Sequence, residues 1–396
     1  MDRHLPIITR IDIKRGVHLK KRILIAVLAV GILLGTYGCT AQNKNEIRIG
    51  MNVELSGRLS QYGHACLEGA QLYFEELNAK GGIAGRPVRL IVLDNRSENS
   101  DAAIAAIRLA SKEKVAAILG PATSGGVKAS LATNPSVPII TPSATADDLS
   151  GKNASAMLFR ICFTDTAQGK AMGEYAHRLG YKQVALLTDV SSDYSRGLER
   201  AFANTFEALG GRVTAVESYT AADTDFFSVL TKLKAKPFDA LYIPGYYSEA
   251  GLIIRQAREL GIHTPILGGD AFDSPALFDL CGDVKNLNSV YYTNHFTVGS
   301  VQQQAFSTAY QKKFTKDPSA FAALSYDAAR VVGEALQNGG LESTAALIRS
   351  MENIRDFSGV TGTFYIDAQH NAHKPVLLTQ IKDGKFLPAL DGNDNS

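Results

Sequence analysis

From Glu46 onward, short apolar runs rich in Val and Ile alternate with longer stretches in which apolar positions recur every three or four residues. Brief β-branched runs predict strands, and the longer periodic stretches predict amphipathic helices between them. Strands are expected over residues 47–53, 88–93, 115–119, 137–141, 184–188, 213–217, 240–243, 266–267 and 290–293. In the helix expected over 64–79, Leu67, Ala70, Phe74 and Leu77 fall on one face while Glu68, Glu75 and Glu76 fall elsewhere. Strand and helix in strict alternation are the mark of parallel βαβ construction. The rhythm restarts near Asp165, so the expected fold is α/β, with two doubly wound lobes built on parallel central sheets. Late helices over 302–314, 318–337 and 341–351 precede a hairpin-like tail over 362–386.

Ahead of that alternation the pattern is different. Lys20, Lys21 and Arg22 precede an apolar run from Ile23 to Leu34, too short to span a bilayer comfortably but suited to a signal-peptide core. Residues 1–38 are therefore read as a signal peptide and the chain as exported. Cys39 directly behind Gly38 resembles a bacterial lipobox, with Thr36 departing from the usual Leu and bulky Tyr37 following it. The resemblance implies a lipid on Cys39, a short tether over 39–45 and membrane contact through that anchor alone.

Composition narrows the function classes. Hydrophobic residues at 45% and charged residues at 20% describe a globular body, neither a disordered chain nor a polytopic membrane protein. The formal net charge of +2 comes from the leader; without residues 1–38 the chain carries 34 basic and 37 acidic residues. A slightly acidic body with scattered basic residues lacks the electrostatic footprint of a nucleic-acid binder. Cys66, Cys162 and Cys281 form no C-x-x-C pair, so they are expected to pack as small buried hydrophobes.

The usual enzyme signatures are missing from the sequence. It holds no G-x-x-x-x-G-K-[ST], G-x-G-x-x-G, G-x-S-x-G or H-E-x-x-H. No cofactor is implied. His370 and His373 have a metal-like spacing but no Cys or carboxylate cluster beside them in sequence, so no metal site is expected. Two loops, Gly120 to Gly126 and Thr141 to Thr145, each follow a strand and open a helix, gathering hydroxyls and backbone N–H groups where open α/β sheets bind anions. Each also fits a plain helix cap. In the second half, Asp193 to Gly197, Gly245 to Tyr247 and Gly268 to Asp270 again stand just beyond strands, where an acid and aromatics suit an ammonium. Asp270 also fits a cap for the turn at Ser274 and Pro275.

At these loops the sequence resembles the branched-chain amino acid binding protein family, the extracytoplasmic receptors of ABC importers. The resemblance covers about residues 46–385. It is carried by Ile49-Gly50, Leu55-Ser56-Gly57, Gln61-Tyr62-Gly63, the segment Glu76 to Gly85, Thr141 to Thr145, Asp223 to Phe226, Gly245 to Gly251 and Arg255 to Arg258. It implies two lobes joined by three crossovers near Thr164, His295 and Lys374, with the first lobe formed by 46–163 plus 295–374 and the second by 164–294 plus 375–396. It also implies a monomer that holds an amino acid in the cleft. Ser124, Ser143, Ala144 and Thr145 are then expected at the ligand carboxylate, and Asp270, Tyr194 and Tyr246 at its ammonium. Better-known members carry Glu where Asp270 stands, and Ser97 and Thr123 occupy the positions of their first-lobe disulfide. Tyr62, Ala122 and Phe272 are expected to wall the side-chain pocket, which favours an uncharged, mainly apolar side chain. Arg58 and Arg196 are the nearest residues able to select an acidic ligand instead. The resemblance implies delivery to ABC permease and ATPase subunits; a sensing subunit of the same fold, feeding a signalling receptor or regulator, is the alternative.

Overall fold

A computed structural model describes residues 45–151, 155–221, 223–299 and 301–389. Residues 1–38, expected to be a signal peptide, and Cys39 lie outside the described residues. β1 (Ile47–Val53) is a central strand with helices on both faces, so nearly its whole length is buried. Its one buried amide, Asn52, donates to the Ala102 carbonyl at 2.8 Å and to the Ser130 hydroxyl at 3.2 Å, and accepts from Asn95 at 3.1 Å. Those bonds tie β1 to the helices that cover it.

The first sheet runs β2 (Val88–Asp94), β1, β3 (Ile118–Leu119), β4 (Ile139–Thr141) and β5 (Leu158–Arg160), all parallel. α1 (Ser60–Ala79), α2 (Asn99–Ile107) and α3 (Ser124–Leu131) make its crossovers. α4 (Asp165–Arg178) opens the second lobe. There β6 (Gln183–Asp189), α5 (Asp193–Ala208), β7 (Arg212–Tyr219), α6 (Phe227–Lys234), β8 (Ala240–Ile243), α7 (Tyr247–Glu259), β9 (Ile266–Gly268), α8 (Ala276–Leu280) and β10 (Val290–Asn294) follow in turn. Its parallel strands lie in the order β7-β6-β8-β9-β10. Each sheet thus starts in the middle, adds one strand outward and then reverses, placing a topological switch point between β1 and β3 and another between β6 and β8. Ligands of such sheets bind beyond the carboxyl ends of the strands at that point.

After β10 the chain returns to the first lobe as α9 (Val301–Phe314), α10 (Ala320–Ala335) and α11 (Thr344–Glu352). α10 lies against α1, where the Tyr326 hydroxyl donates to Glu76 at 2.8 Å. A small antiparallel sheet of β11 (Phe357–Gly359), β12 (Gly362–Ile366) and β13 (Ala372–His373) follows. β14 (Leu377–Lys382) then joins the second sheet antiparallel to β10, and β15 (Lys385–Pro388) pairs antiparallel to β14. The chain therefore passes between the lobes three times.

Three details differ from the sequence pattern. β5 was not anticipated, because three residues ending in a buried Arg carry little strand signal; Arg160 is satisfied by the Asn371 side chain at 2.7 and 2.9 Å and the Ala146 carbonyl at 2.8 Å. The strand expected over 115–119 is assigned only at its end, although Ala116 N–H to Arg48 O and Gly50 N–H to Ala117 O continue the ladder. The tail is two hairpins rather than one, because the chain changes lobes between β13 and β14. Cys66, Cys162 and Cys281 are free and buried.

Candidate functional site

The strand ends of both lobes converge on a small, largely closed cavity. It is lined by Tyr62, Ala122, Ser124, Ser143, Tyr194, Tyr246, Asp270, Ala271 and Phe321.

On the first lobe the loop after β3 is held from below by Glu54. Its carboxylate accepts from the N–H groups of Ala122 and Thr123, both at 3.3 Å, and from the Thr123 hydroxyl at 3.0 Å. Burial pushes the Glu54 carboxyl above its ordinary range, while these hydrogen bonds pull it back. The loop after β4 is laced to the same segment: the Thr141 hydroxyl donates to Pro121 O at 2.7 Å and the Ser143 hydroxyl to Ala122 O at 2.9 Å. Ser124 opens α3 and its oxygen accepts the Ala146 N–H at 3.2 Å. Its hydroxyl and the positive end of α3 thus meet at the cavity, an arrangement suited to an anion. Gly63 allows α1 to lie on the end of β1, since a Cβ there would come within 2.0 Å of the Glu54 carbonyl oxygen. That close approach brings Tyr62 into the cavity.

On the second lobe Asp270 follows β9 and is only 2% exposed. Tyr194 donates to its Oδ1 at 2.9 Å, and His295 Nε2 lies 3.0 Å from its Oδ2. Burial pushes the His295 imidazole down to about 4, against the pull of Asp270, so near neutral pH the ring is an uncharged donor. The Asp270 carboxylate is therefore hydrogen-bonded by two neutral donors, an arrangement suited to a cation. The Asp270 backbone N–H donates to Gln168 Oε1 at 3.2 Å, which also accepts the Thr293 hydroxyl at 2.7 Å. Gly269 leaves room for Tyr194, whose hydroxyl would lie 2.3 Å from a Cβ at that position. Tyr246 stacks on Tyr194 with ring centroids 5.1 Å apart.

The lobes touch around this space. The Tyr62 hydroxyl donates to Ala271 O and accepts the Tyr247 N–H at 3.3 Å, while its ring stacks on Phe321 at 4.0 Å. Arg58 lies over the Tyr246 ring at 5.3 Å and pairs with Glu249 at 3.3 Å; Lys128 pairs with Asp193 at 2.7 Å. Arg196 is held by Asp193 and the Val190 carbonyl.

Seven of the ten ligand and pocket residues expected from sequence line the cavity: Tyr62, Ala122, Ser124, Ser143, Tyr194, Tyr246 and Asp270. Ala144 and Thr145 lie behind it, the Ala144 N–H donating to the Thr141 hydroxyl at 3.1 Å and Thr145 facing the buried Asp165. Phe272 is not among the lining residues; its ring covers Gly268 and faces Tyr292. Phe321 and Ala271 were missed, since an aromatic in a helix and an alanine in a turn read as core. The Asp270 side chain does not cap the turn at Ser274; its two oxygens go to Tyr194 and His295.

A cavity closed between two switch points, with hydroxyls on one wall and a carboxylate on the other, defines a two-lobed binder of small solutes. The periplasmic binding protein family matches residues 46–385, and the chain belongs to that family. A Leu/Ile/Val-binding protein from Rhizobium johnstonii is 34% identical over 233 residues, which is 58% of this chain and 62% of the relative's length. Among solved structures, the branched-chain amino acid transporter substrate binding protein of Streptococcus pneumoniae, in complex with isoleucine, is 39% identical at a TM-score of 0.82, over 86% of this chain and 97% of that one. A leucine binding protein from Thermotoga maritima is 35% identical at a TM-score of 0.82, over 87% and 98%. The family is extracytoplasmic and consists of binding proteins, not enzymes. Among the described residues no helix is long and apolar enough to cross a membrane.

Proposed function

We propose that this chain is the receptor of an ABC importer and captures a free amino acid with a branched-chain or other apolar side chain. The observation that carries the reading is the pairing, across one small cavity, of the Ser124 hydroxyl and the Ser143 loop, which would act through its backbone, with the Asp270 carboxylate. That pairing matches the two charges of a zwitterion. Ser124 and Ser143 receive the carboxylate, with Ala144 and Thr145 shaping the second loop from behind. Asp270 receives the ammonium, and Tyr194 and Tyr246 close over it. Tyr62, Ala122 and Phe321 wall the side chain, Phe321 standing where Phe272 was expected.

Two features favour an uncharged side chain. Among the described residues Asp270 is the only charged one lining the cavity, and Arg58 and Arg196 are engaged by Glu249 and Asp193. Burying an unpaired ligand carboxylate there costs far more than a methylene gains. The relatives named above for leucine, isoleucine and valine support the same class. The remainder of the reading is lipid attachment at Cys39, a monomeric receptor with lobes of 46–163 plus 295–374 and 164–294 plus 375–396, and delivery to permease and ATPase subunits.

A thermal-shift screen of the mature chain against the free amino acids tests it. A ligand present at a hundred times its Kd stabilises the folded state by about 2.7 kcal/mol. Leucine, isoleucine or valine should raise the melting temperature most; no shift with any amino acid sinks the reading.

A further inference from the structure

Asp270 could be held by any two donors, yet one of them comes from a segment that crosses between the lobes. His295 directly follows β10, at the second passage of the chain. Its backbone N–H donates to Asn294 Oδ1 at 2.7 Å, and its ring lies flat on Phe163, with centroids 3.6 Å apart and planes 21° from parallel. Phe163 belongs to the first passage, between β5 and α4. One imidazole therefore touches the acceptor carboxylate on one edge and another crossing segment on its face.

We propose that His295 is a positioning residue for the ligand ammonium, orienting Asp270 through Nε2 while its stack on Phe163 ties that carboxylate to the segments joining the lobes. The proposal rests on the reading that an amino acid's ammonium sits at Asp270. Because Nε2 faces a carboxylate oxygen, the proton of the neutral ring belongs on Nε2. Nδ1 is then a lone-pair acceptor, buried and without a hydrogen-bond partner among the described residues. A buried orphan acceptor is a cost that a purely structural aromatic would not carry. Phe would stack on Phe163 as well, but it would leave Asp270 Oδ2 without its donor.

The charges around the ring fit the role. Asp270, from the turn after β9, favours the imidazolium, whereas burial and Lys374, from the passage before β14, oppose it, leaving the ring neutral down to about pH 4. Lys374 is itself half-buried, and desolvation of its ammonium brings it down to about 8; it donates to the Thr361 hydroxyl at 2.6 Å beside Asp327. On the other side of Asp270, buried Asp165 on α4 holds its carboxyl well above the ordinary range, chiefly through burial, and accepts from Gln168 at 3.2 Å. A neutral His295 leaves Asp270 attractive to an ammonium. A protonated one would place a rival cation 3.0 Å away.

Calorimetric titration of the full mature chain with leucine tests this, using wild type, His295→Gln and His295→Ala from pH 7 down to pH 4, with folding at each pH checked by thermal melts. Gln keeps an N–H donor and cannot become a cation. At pH 7 the Gln variant should bind within threefold of wild type and the Ala variant at least tenfold more weakly. Towards pH 4 wild type should lose several-fold more affinity than the Gln variant. Parallel pH profiles of wild type and Gln variant would overturn the proposal, as would an Ala variant that binds like wild type at pH 7. Should the Ala variant fail to fold, the comparison of wild type with the Gln variant decides alone. A wild type that binds no amino acid removes the underlying reading and the proposal with it, whereas normal wild-type binding with unmoved variants removes only the role of His295.

Discussion

The hydroxyl of Tyr62, carried on α1 in the first lobe, donates to the carbonyl oxygen of Ala271 in the second. The same oxygen of Tyr62 accepts the Tyr247 N–H at 3.3 Å. A side chain that walls the cavity is thus also one that joins the lobes, so binding and closure share a residue.

Tyr62→Phe keeps the stack on Phe321 and removes both hydrogen bonds. A typical hydrogen bond contributes about 0.5–1.5 kcal/mol, so losing the two should lower ligand affinity by roughly 5- to 150-fold with the fold intact. Calorimetry showing equal affinity would mean that closure does not depend on this contact.

Asp270→Ala removes the one charge that lines the cavity among the described residues. Truncating one partner of a buried charge pair costs about 2–5 kcal/mol, a loss of roughly 30-fold to several thousandfold in affinity. A change under about threefold in a calorimetric titration would contradict the assignment of the ammonium to this residue.

Gly269→Ala probes the packing that lets Tyr194 reach Asp270. The added methyl would meet the Tyr194 hydroxyl and, at 2.6 Å, Leu198. Overpacking of this kind costs about 1–3 kcal/mol. Both the melting temperature and the ligand affinity should drop, and a variant that lowers neither would show that Tyr194 has room to move aside.

The pH dependence of stability follows from His295. Its folded value of about 4 lies below the ordinary 6.5, so between those values the unfolded chain binds the extra proton and stability falls as pH falls. The contribution is complete above about pH 6.5 and is lost on the order of 3 kcal/mol by pH 4. Asp273, raised to about 6 by burial, acts in the opposite direction over part of the same range, as do the buried Glu54 and Asp165, whose carboxyls burial also raises. The wild-type curve alone therefore mixes these contributions, and the difference between wild type and His295→Gln isolates the histidine. Denaturant titrations at pH 7 and pH 4.5 should show wild type losing more stability than the variant; equal losses would contradict a neutral buried ring.

Much of this was legible in the sequence for reasons that can be named. β1 and β8 are central strands, and their apolar runs stand out because helices cover both faces. Asp270 and Tyr246 were legible because each follows such a run where a parallel sheet presents its ligand end. His295 was not, since nothing in its neighbourhood marks a histidine that reaches back to a turn twenty-five residues earlier. Phe321 escaped for a similar reason: it sits in a helix whose Ala-rich face reads as ordinary packing, and only the closeness of α10 to α1 brings it over Tyr62. Phe272 is not among the lining residues, because the short turn Asp270–Phe272 folds its ring back over Gly268.

The central claim is that the cavity between the lobes binds a free amino acid through both of its charges and an apolar side chain. Titration of the purified protein with leucine, isoleucine, valine, phenylalanine and glutamate tests it most directly. Apolar walls separate ligands differing by a methylene by only about 1–3 kcal/mol, so the aliphatic three should bind within about a hundredfold of one another, with glutamate far weaker. Tightest binding by glutamate, or no binding by any of the five, would contradict it.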